Sequence, residues 1–224
     1  MTGFIKHALT FLFTSISLLA ISQSGFSIAT DVSVMRNFSP EQKFWAIGQT
    51  VIAEINFSKK ESAFVRLGYF SPGRFSNLFT ATAKLPSTIP SSQVYRVKST
   101  WYNREVSIGW KHYFKGAYDN EMSWNFYSTA GFGLMFTKAQ NNFIPVPDTS
   151  LYNPAPAPIS GEHGFKRLTF DLGLGVEYPV SGGFYIYSEA RTWIPASDYP
   201  SPVLHHPDNV PLPFMLGFGL RILF

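Results

Sequence analysis

The sequence predicts an all-β fold, a closed antiparallel barrel of eight strands with lipid outside and a narrow interior. Three observations predict it. The first is the last stretch, Pro213 to Phe224, where Phe214, Leu216, Phe218, Leu220, Ile222 and Phe224 alternate with Met215, Gly217, Gly219, Arg221 and Leu223. A period of two is the period of a strand, whose side chains alternate between faces. One face is uniformly apolar and the other is small or charged near its middle, as suits a strand between lipid and a tight lumen. The second observation is that connections between candidate strands alternate, short then long. The third is that none of the 16 prolines lies inside a candidate strand, with Pro179 and Pro213 at strand ends. Proline cannot donate to a ladder, so real strands exclude it.

The ending Gly219-Leu220-Arg221-Ile222-Leu223-Phe224 resembles the C-terminal assembly signal of bacterial outer-membrane β-barrels. There a glycine is followed by apolar or aromatic residues at alternate positions, the last a terminal Phe; here Gly219, Ile222 and Phe224 carry the match. That family usually has a polar residue two places before the glycine, where this chain has Gly217. The resemblance implies the outer membrane of a Gram-negative bacterium, with the barrel-assembly machinery and outer-membrane lipids, lipopolysaccharide among them, as partners.

Composition fits. Of 224 residues, 17% are aromatic and only 14% charged, too many rings and too few charges for a typical water-facing surface. Lys and Arg number 18 against 14 Asp and Glu, without a basic run or a binding motif, so nucleic acid is not an expected partner. The absence of Cys excludes disulfides, thiol catalysis, Cys-based zinc sites and lipoprotein anchoring.

In chain order, residues 1–24 read as a signal peptide. Lys6 and His7 precede an apolar core, Ala8 to Ile21, and small residues follow for a cleavage placed between 22 and 29. A membrane-anchor helix is the alternative, but the run is short against the roughly 20 residues a span needs. The barrel is assigned to 25–224. Asp31 to Phe38 is the first strand, with Val32, Val34 and Phe38 on one side. Phe44 to Ser58 is the second, with Thr50, Ile52, Glu54 and Asn56 facing inward. Ser62 to Phe70 is the third, with Phe64, Arg66 and Gly68 inward. Trp101 to Phe114, Ser123 to Lys138, Lys166 to Pro179 and Phe184 to Ile194 are the fourth to seventh, and Pro213 to Phe224 closes the set. Long outer loops are expected at 71–100, 139–165 and 195–212, and short periplasmic turns follow the second, fourth and sixth strands. Aromatic girdles are expected at both ends: Phe57, Trp110, Phe114, Trp124, Tyr178, Phe184 and Phe224 on the periplasmic side, and Trp45, Tyr69, Trp101, Tyr102, Phe136 and Phe214 on the outer side.

This register sends nine charges into the lumen: Glu54, Arg66, Glu105, Lys111, Asp171, Glu177, Glu189, Arg191 and Arg221. An eight-stranded barrel is just wide enough to be filled by side chains, so such charges are expected to pair as a packed polar network. A narrow ion path is the functional alternative. Small barrels of the OmpX and OmpA-barrel type serve as structural, adhesive or surface-defence proteins, or as accessory subunits. The resemblance therefore implies a non-enzymatic role, with protein partners at the Pro-rich outer loops. The enzymatic alternative is modification of lipid A. Deacylases of that kind carry a His and a Ser two apart, whereas His112 here precedes Tyr113 and Phe114. Palmitoyltransferases use loop-borne His, Asp and Ser, for which His205, Asp208 and Ser201 are the candidates. His205, His206 and His163 are the only loop histidines that could join at a metal, and the expected reading is a solvated loop with no metal or cofactor.

Overall fold

The computed structural model describes residues 25–154, 158–196, 204–205 and 212–224. Among the described residues ten strands form in chain order: β1 (Gly25–Asn37), β2 (Phe44–Ser58), β3 (Glu61–Phe70), β4 (Gly73–Ala83), β5 (Ser92–Lys115), β6 (Asn125–Ile144), β7 (Tyr152–Asn153), β8 (Gly161–Ser181), β9 (Phe184–Pro195) and β10 (Pro213–Leu223). Neighbours are antiparallel in the order β3-β2-β1-β10-β9-β8-β6-β5, and a β3–β5 pairing closes the eight into a ring. Closure leaves no unpaired edge within lipid, where an unsatisfied backbone group would be costly.

The alternation read in the sequence sets the two surfaces. In β2 every other residue from Phe44 to Asn56 is buried and those between are exposed. The outside carries Ile55, Val65, Ile108, Phe132, Leu174, Ile186, Phe218 and Leu220, all exposed. So continuous an apolar wall suits a lipid bilayer. Short turns lie at one end: Lys59-Lys60 after β2, and Gly182-Gly183 after β8. Both of those glycines have positive φ, +54° and +80°, a conformation most side chains resist. Close packing also needs glycine at 175, where an added Cβ would come within 2.2 Å of the Tyr127 ring.

Several boundaries differ from the sequence reading. The first strand begins at Gly25, not Asp31, and pairs with both β2 and β10 along its length. The stretch 71–100 is not an irregular loop. Ser71 and Pro72 interrupt one long strand into β3 and β4, and both halves pair with β5. Likewise β6 runs on to Ile144 and β8 starts at Gly161, so regular structure occupies both ends of the expected loop 139–165. Most of 195–212 lies outside the described residues. A membrane crossing takes about 9–11 strand residues; β5 has 24. The β4–β5–β6–β8 side of the barrel therefore stands well above the membrane as a raised sheet.

The polarity of the wall inverts in that raised part. Tyr95, Val97, Trp101, Ala139 and Phe165 are buried, while Arg96, Lys98, Lys138 and Gln140 are exposed. This explains one correction: Trp101 does not join the outer girdle. It shares the parity of Glu105, and at 1% exposure it packs inside. Trp45, Tyr69 and Phe214 are exposed at the outer end, with Tyr102 and Phe136 partly so, and the seven periplasmic ring residues are all exposed.

Strand β1 makes a testable statement about processing. Ser27 sits in the ladder opposite Leu223 and Glu54, and its hydroxyl accepts from both Arg221 and Asn56. Cleavage after Ala29 would remove that rung. Intact-mass analysis of the protein from outer membranes is expected to find Gly25 retained; a mature chain starting at Thr30 would contradict the ladder.

Candidate functional site in the barrel interior

All nine charges assigned to the lumen are buried, and the same face brings in two more, Asp31 and Arg167. Among the described residues the lumen thus holds six acids and five bases. Asp31 was missed because the first strand was started at its position, although it alternates with Val32 and Val34. Arg167 lies on the inner face of β8 with Thr169 and Asp171 and belongs in the same set.

The charges form two layers. Toward the end with the short turns, Glu177 is the shared acceptor. Arg221 clamps it with two bonds, Nη2 to Oε1 at 2.8 Å and Nε to Oε2 at 3.1 Å, a fork geometry suited to carboxylate. Lys111 Nζ lies 3.5 Å from Glu177 Oε2 and 3.1 Å from Glu54 Oε1. The Asn125 amide adds a donor at 2.9 Å. Rings complete the layer: Lys111 lies 4.1 Å from the Tyr127 centroid and the Arg221 guanidinium 4.0 Å from that of Tyr185. These contacts tie β2, β5, β6, β8, β9 and β10 across the lumen.

Higher up, Arg66 donates to Glu189 Oε1 at 2.5 Å. Arg191 donates to the Thr50 hydroxyl at 2.6 Å and lies 3.7 Å from Asp31 Oδ2, which also accepts from the Tyr187 hydroxyl at 3.0 Å. Thr169 donates to Asp171 Oδ1 at 2.8 Å. Glu105 sits among Arg191, Arg66 and Asp171. Both Glu105 oxygens and Asp171 Oδ2 lack a hydrogen-bond partner among the described residues, so this upper layer is only partly paired.

Above these layers the lumen turns apolar. Met35, Phe44, Phe70, Trp101, Met135, Trp193 and Met215 form one buried cluster, with Phe75 of β4 packed on it. Trp193 meets Phe70 edge-on at 5.3 Å, and Phe75 meets Trp101 edge-on at 5.2 Å. The plug fills the outer half of the interior.

The mouth above the plug is where His205 lies, and it corrects the expectation of a solvated loop: the ring is 3% exposed. It packs against Phe75 and Phe79. Its Nδ1 is 2.7 Å from the Asn77 amide nitrogen, and its Nε2 is 2.5 Å from the Ser99 hydroxyl. The same Asn77 amide donates to the Glu41 carbonyl, Ser99 donates to Asn141 Oδ1, and Asn141 donates to the Ile159 carbonyl. A neutral imidazole protonated on Nε2 satisfies every member of this chain. The chain joins the β1–β2 connection, β4, the β9–β10 connection, β5, β6 and the β6–β8 connection, and so latches the mouth. Serine beside histidine is also the geometry of a nucleophile and its base. Ser99 is 2% exposed, however, and already donates to Asn141, so no substrate carbonyl can reach it in this arrangement.

The other candidates stand apart. His112 is on the outer face near the end with the short turns, 2.6 Å from Glu61. His163 is 3.0 Å from the Ser160 carbonyl. Ser201, His206 and Asp208 lie outside the described residues. In the C-terminal motif, an added Cβ on Gly219 would approach the Thr30 carbonyl to 2.2 Å, so the β1–β10 closure itself demands glycine there. Ile222 lies opposite Ile28 and Phe184, and the Phe224 amide donates to the Phe26 carbonyl at 2.8 Å with the two rings 6.1 Å apart.

Neither a protein-family model nor a curated protein matches the sequence. Solved structures do. Neisserial surface protein A aligns over 89% of this chain and 97% of its own, at 13% identity and a TM-score of 0.51. The chain has the fold of the small outer-membrane β-barrels. The N-terminal barrel domain of Pseudomonas aeruginosa OprF aligns over 90% of this chain and 100% of its own, at 9% identity and a TM-score of 0.49. Ail, the attachment invasion locus protein of Yersinia pestis, covers 89% and 99% at 14% identity and a TM-score of 0.48.

Two outcomes test the interior. Removing one partner of a buried pair strands the other charge and costs about 3–5 kcal/mol. Arg66→Met is therefore expected to lower the urea midpoint of the detergent-solubilised barrel sharply, and adding Glu189→Gln to recover a substantial part; equal midpoints for single and wild type would contradict the pairing. The second outcome concerns pH. Burial lowers the His205 imidazole to about 4, while a released histidine titrates near 6.5. The released mouth binds more protons between those values, so the latch is fully stable above pH ~6.5 and is lost as pH falls toward 4. Intrinsic-rate-corrected hydrogen exchange around Asn77 and Ser99 is expected to speed up from pH 7.5 to pH 5, and to lose that dependence in His205→Gln.

Proposed function

We propose that the protein is a non-enzymatic barrel of the Gram-negative outer membrane whose working surface is the raised outer sheet and its connections. In this reading it acts in surface structure and adhesion, or as an accessory subunit of a larger outer-membrane complex. The observation that carries the proposal is the filled interior. A lumen occupied by two ion-paired layers and an aromatic plug offers neither a solute path nor a substrate cavity. What is left for recognition is the outside. There β4, β5, β6 and β8 present a paired, stiff platform, which lowers the entropy lost on binding. Assembly through the C-terminal strand by the barrel-assembly machinery belongs to the same reading.

Mild-detergent extraction followed by native mass measurement and peptide identification separates the two roles. A monomer whose gel mobility shifts on boiling supports an autonomous surface barrel; a defined heavier assembly supports the accessory role and names the partner. The enzymatic alternative needs the Ser99–Asn141 bond to open so that Ser99 beside His205 is freed, and it requires lipid A acylation to change in a deletion strain and Ser99→Ala to abolish the activity. Unchanged lipid A removes it. For the channel alternative, planar-bilayer recordings are expected to show no discrete conductance steps, and reproducible steps would overturn the sealed lumen.

A further inference from the structure

The inner face of β6 carries no side chain near its middle, where Gly131 and Gly133 occupy successive inward positions. Side chains of β5 and β8 meet across that bare backbone. Ser107 of β5 and Thr169 of β8 both pair with Gly133, and Asp171 of β8 pairs with Gly131. A Cβ added at Gly133 would lie 2.7 Å from Thr169 Oγ1, 2.8 Å from Asp171 Oδ2 and 3.2 Å from the Ser107 Cβ. The glycine thus leaves a cradle walled by oxygen-bearing side chains. Glu105 stands two positions before Ser107 on the same face of β5, with Asp171 among its neighbours.

All four side chains are at most 2% exposed. Both Glu105 oxygens, Asp171 Oδ2 and the Ser107 hydroxyl have no hydrogen-bond partner among the described residues. Buried oxygens in that condition call for a partner. The Thr169 hydroxyl already donates to Asp171 Oδ1, and the nearby guanidiniums donate elsewhere, Arg66 to Glu189 and Arg191 to Thr50. The described lumen also holds one more acid than base. A proton shared by the two carboxyls would engage two of the four oxygens. A hard cation takes oxygen ligands and engages them all. One positive charge balances the surplus acid, whereas two would overshoot beside Arg66 and Arg191. Nor do three His, Cys, Asp or Glu gather among the described residues as for a divalent metal.

We propose that Glu105, Ser107 and Asp171, with Thr169 beside them, hold one monovalent metal cation of the sodium class inside the barrel. It is a fixed ion and not one in transit. The cluster of Phe70, Trp101 and Trp193 closes the lumen on one side of it, and Glu177 with Arg221 and Lys111 closes the other. The ion neutralises the surplus acid and ties β5 to β8 across the glycine gap in β6.

The test refolds the full chain in detergent with thallous acetate, whose ion is a heavy monovalent probe, and collects anomalous diffraction from its crystals. One buried peak is expected among Glu105, Ser107 and Asp171, and none there in Glu105→Gln. In solution, the urea midpoint is expected to be higher after refolding in sodium chloride than in N-methylglucamine chloride at equal ionic strength, since a ligand of the folded state stabilises it. Glu105→Gln with Ser107→Ala is expected to lose that difference while keeping its heat-modifiable gel mobility, and Lys59→Gln with Lys60→Gln to keep the difference. No peak at the cradle, or a midpoint indifferent to sodium, would overturn the proposal and leave water on these oxygens. A carboxylic-acid infrared band at pH 7 that Glu105→Gln removes would put a proton there and overturn it equally. A larger rise with calcium chloride than with sodium chloride would overturn the single charge.

Discussion

The constraint on which the structure depends is that a narrow barrel in lipid has only its inside for polar groups. An eight-stranded ring holds about as much as its own side chains can fill. Each strand therefore sends apolar residues to lipid and must satisfy its inward charges within the ring. Glu177 shows how tightly this is done: one carboxylate receives the fork of Arg221, the Asn125 amide and the Lys111 ammonium. Arg221 comes from the last strand and Ser27, which it also reaches at 3.2 Å, from the first. The ion-pair network and the closure of the ring are thus the same set of contacts.

Above the membrane the constraint reverses. With water outside, the wall of β4, β5, β6 and β8 turns its polar face outward and buries Tyr95, Val97, Trp101 and Phe165 instead. That inversion makes the aromatic plug, and the plug separates the polar lumen from the His205 latch. A sealed interior, a hydrogen-bonded mouth and a raised platform follow from one rule applied on two sides of a boundary.

The sequence made the membrane-embedded part legible because lipid enforces a strict apolar alternation. Glu54, Arg66, Lys111, Asp171 and Arg221 can be assigned to the interior from their parity opposite to outward Ile55, Val65, Trp110, Leu172 and Leu220. The raised sheet was illegible for the matching reason. From Gly73 to Thr100 the outward positions are mostly polar, Arg74, Ser76, Thr80, Thr82, Arg96 and Lys98 with Leu78 and Val94 among them, so the stretch resembles a polar loop, although Phe75, Phe79, Tyr95 and Val97 alternate on its other face. Trp101 was misplaced by weighing ring chemistry above parity with Glu105. The partners of His205 are beyond sequence reasoning: Ser99 and Asn77 are 106 and 128 residues away, and only the topology brings them together.

The central claim is that the interior is packed with ion-paired side chains and closed to bulk water. Water-edited solid-state NMR of the protein in lipid bilayers, observing arginine side-chain nitrogens, tests it most directly. The account predicts separate, slowly polarised guanidinium signals for Arg66, Arg191 and Arg221, and fast transfer to exposed Arg96. Rapid water transfer to all of them alike would mean a hydrated lumen, and would contradict it.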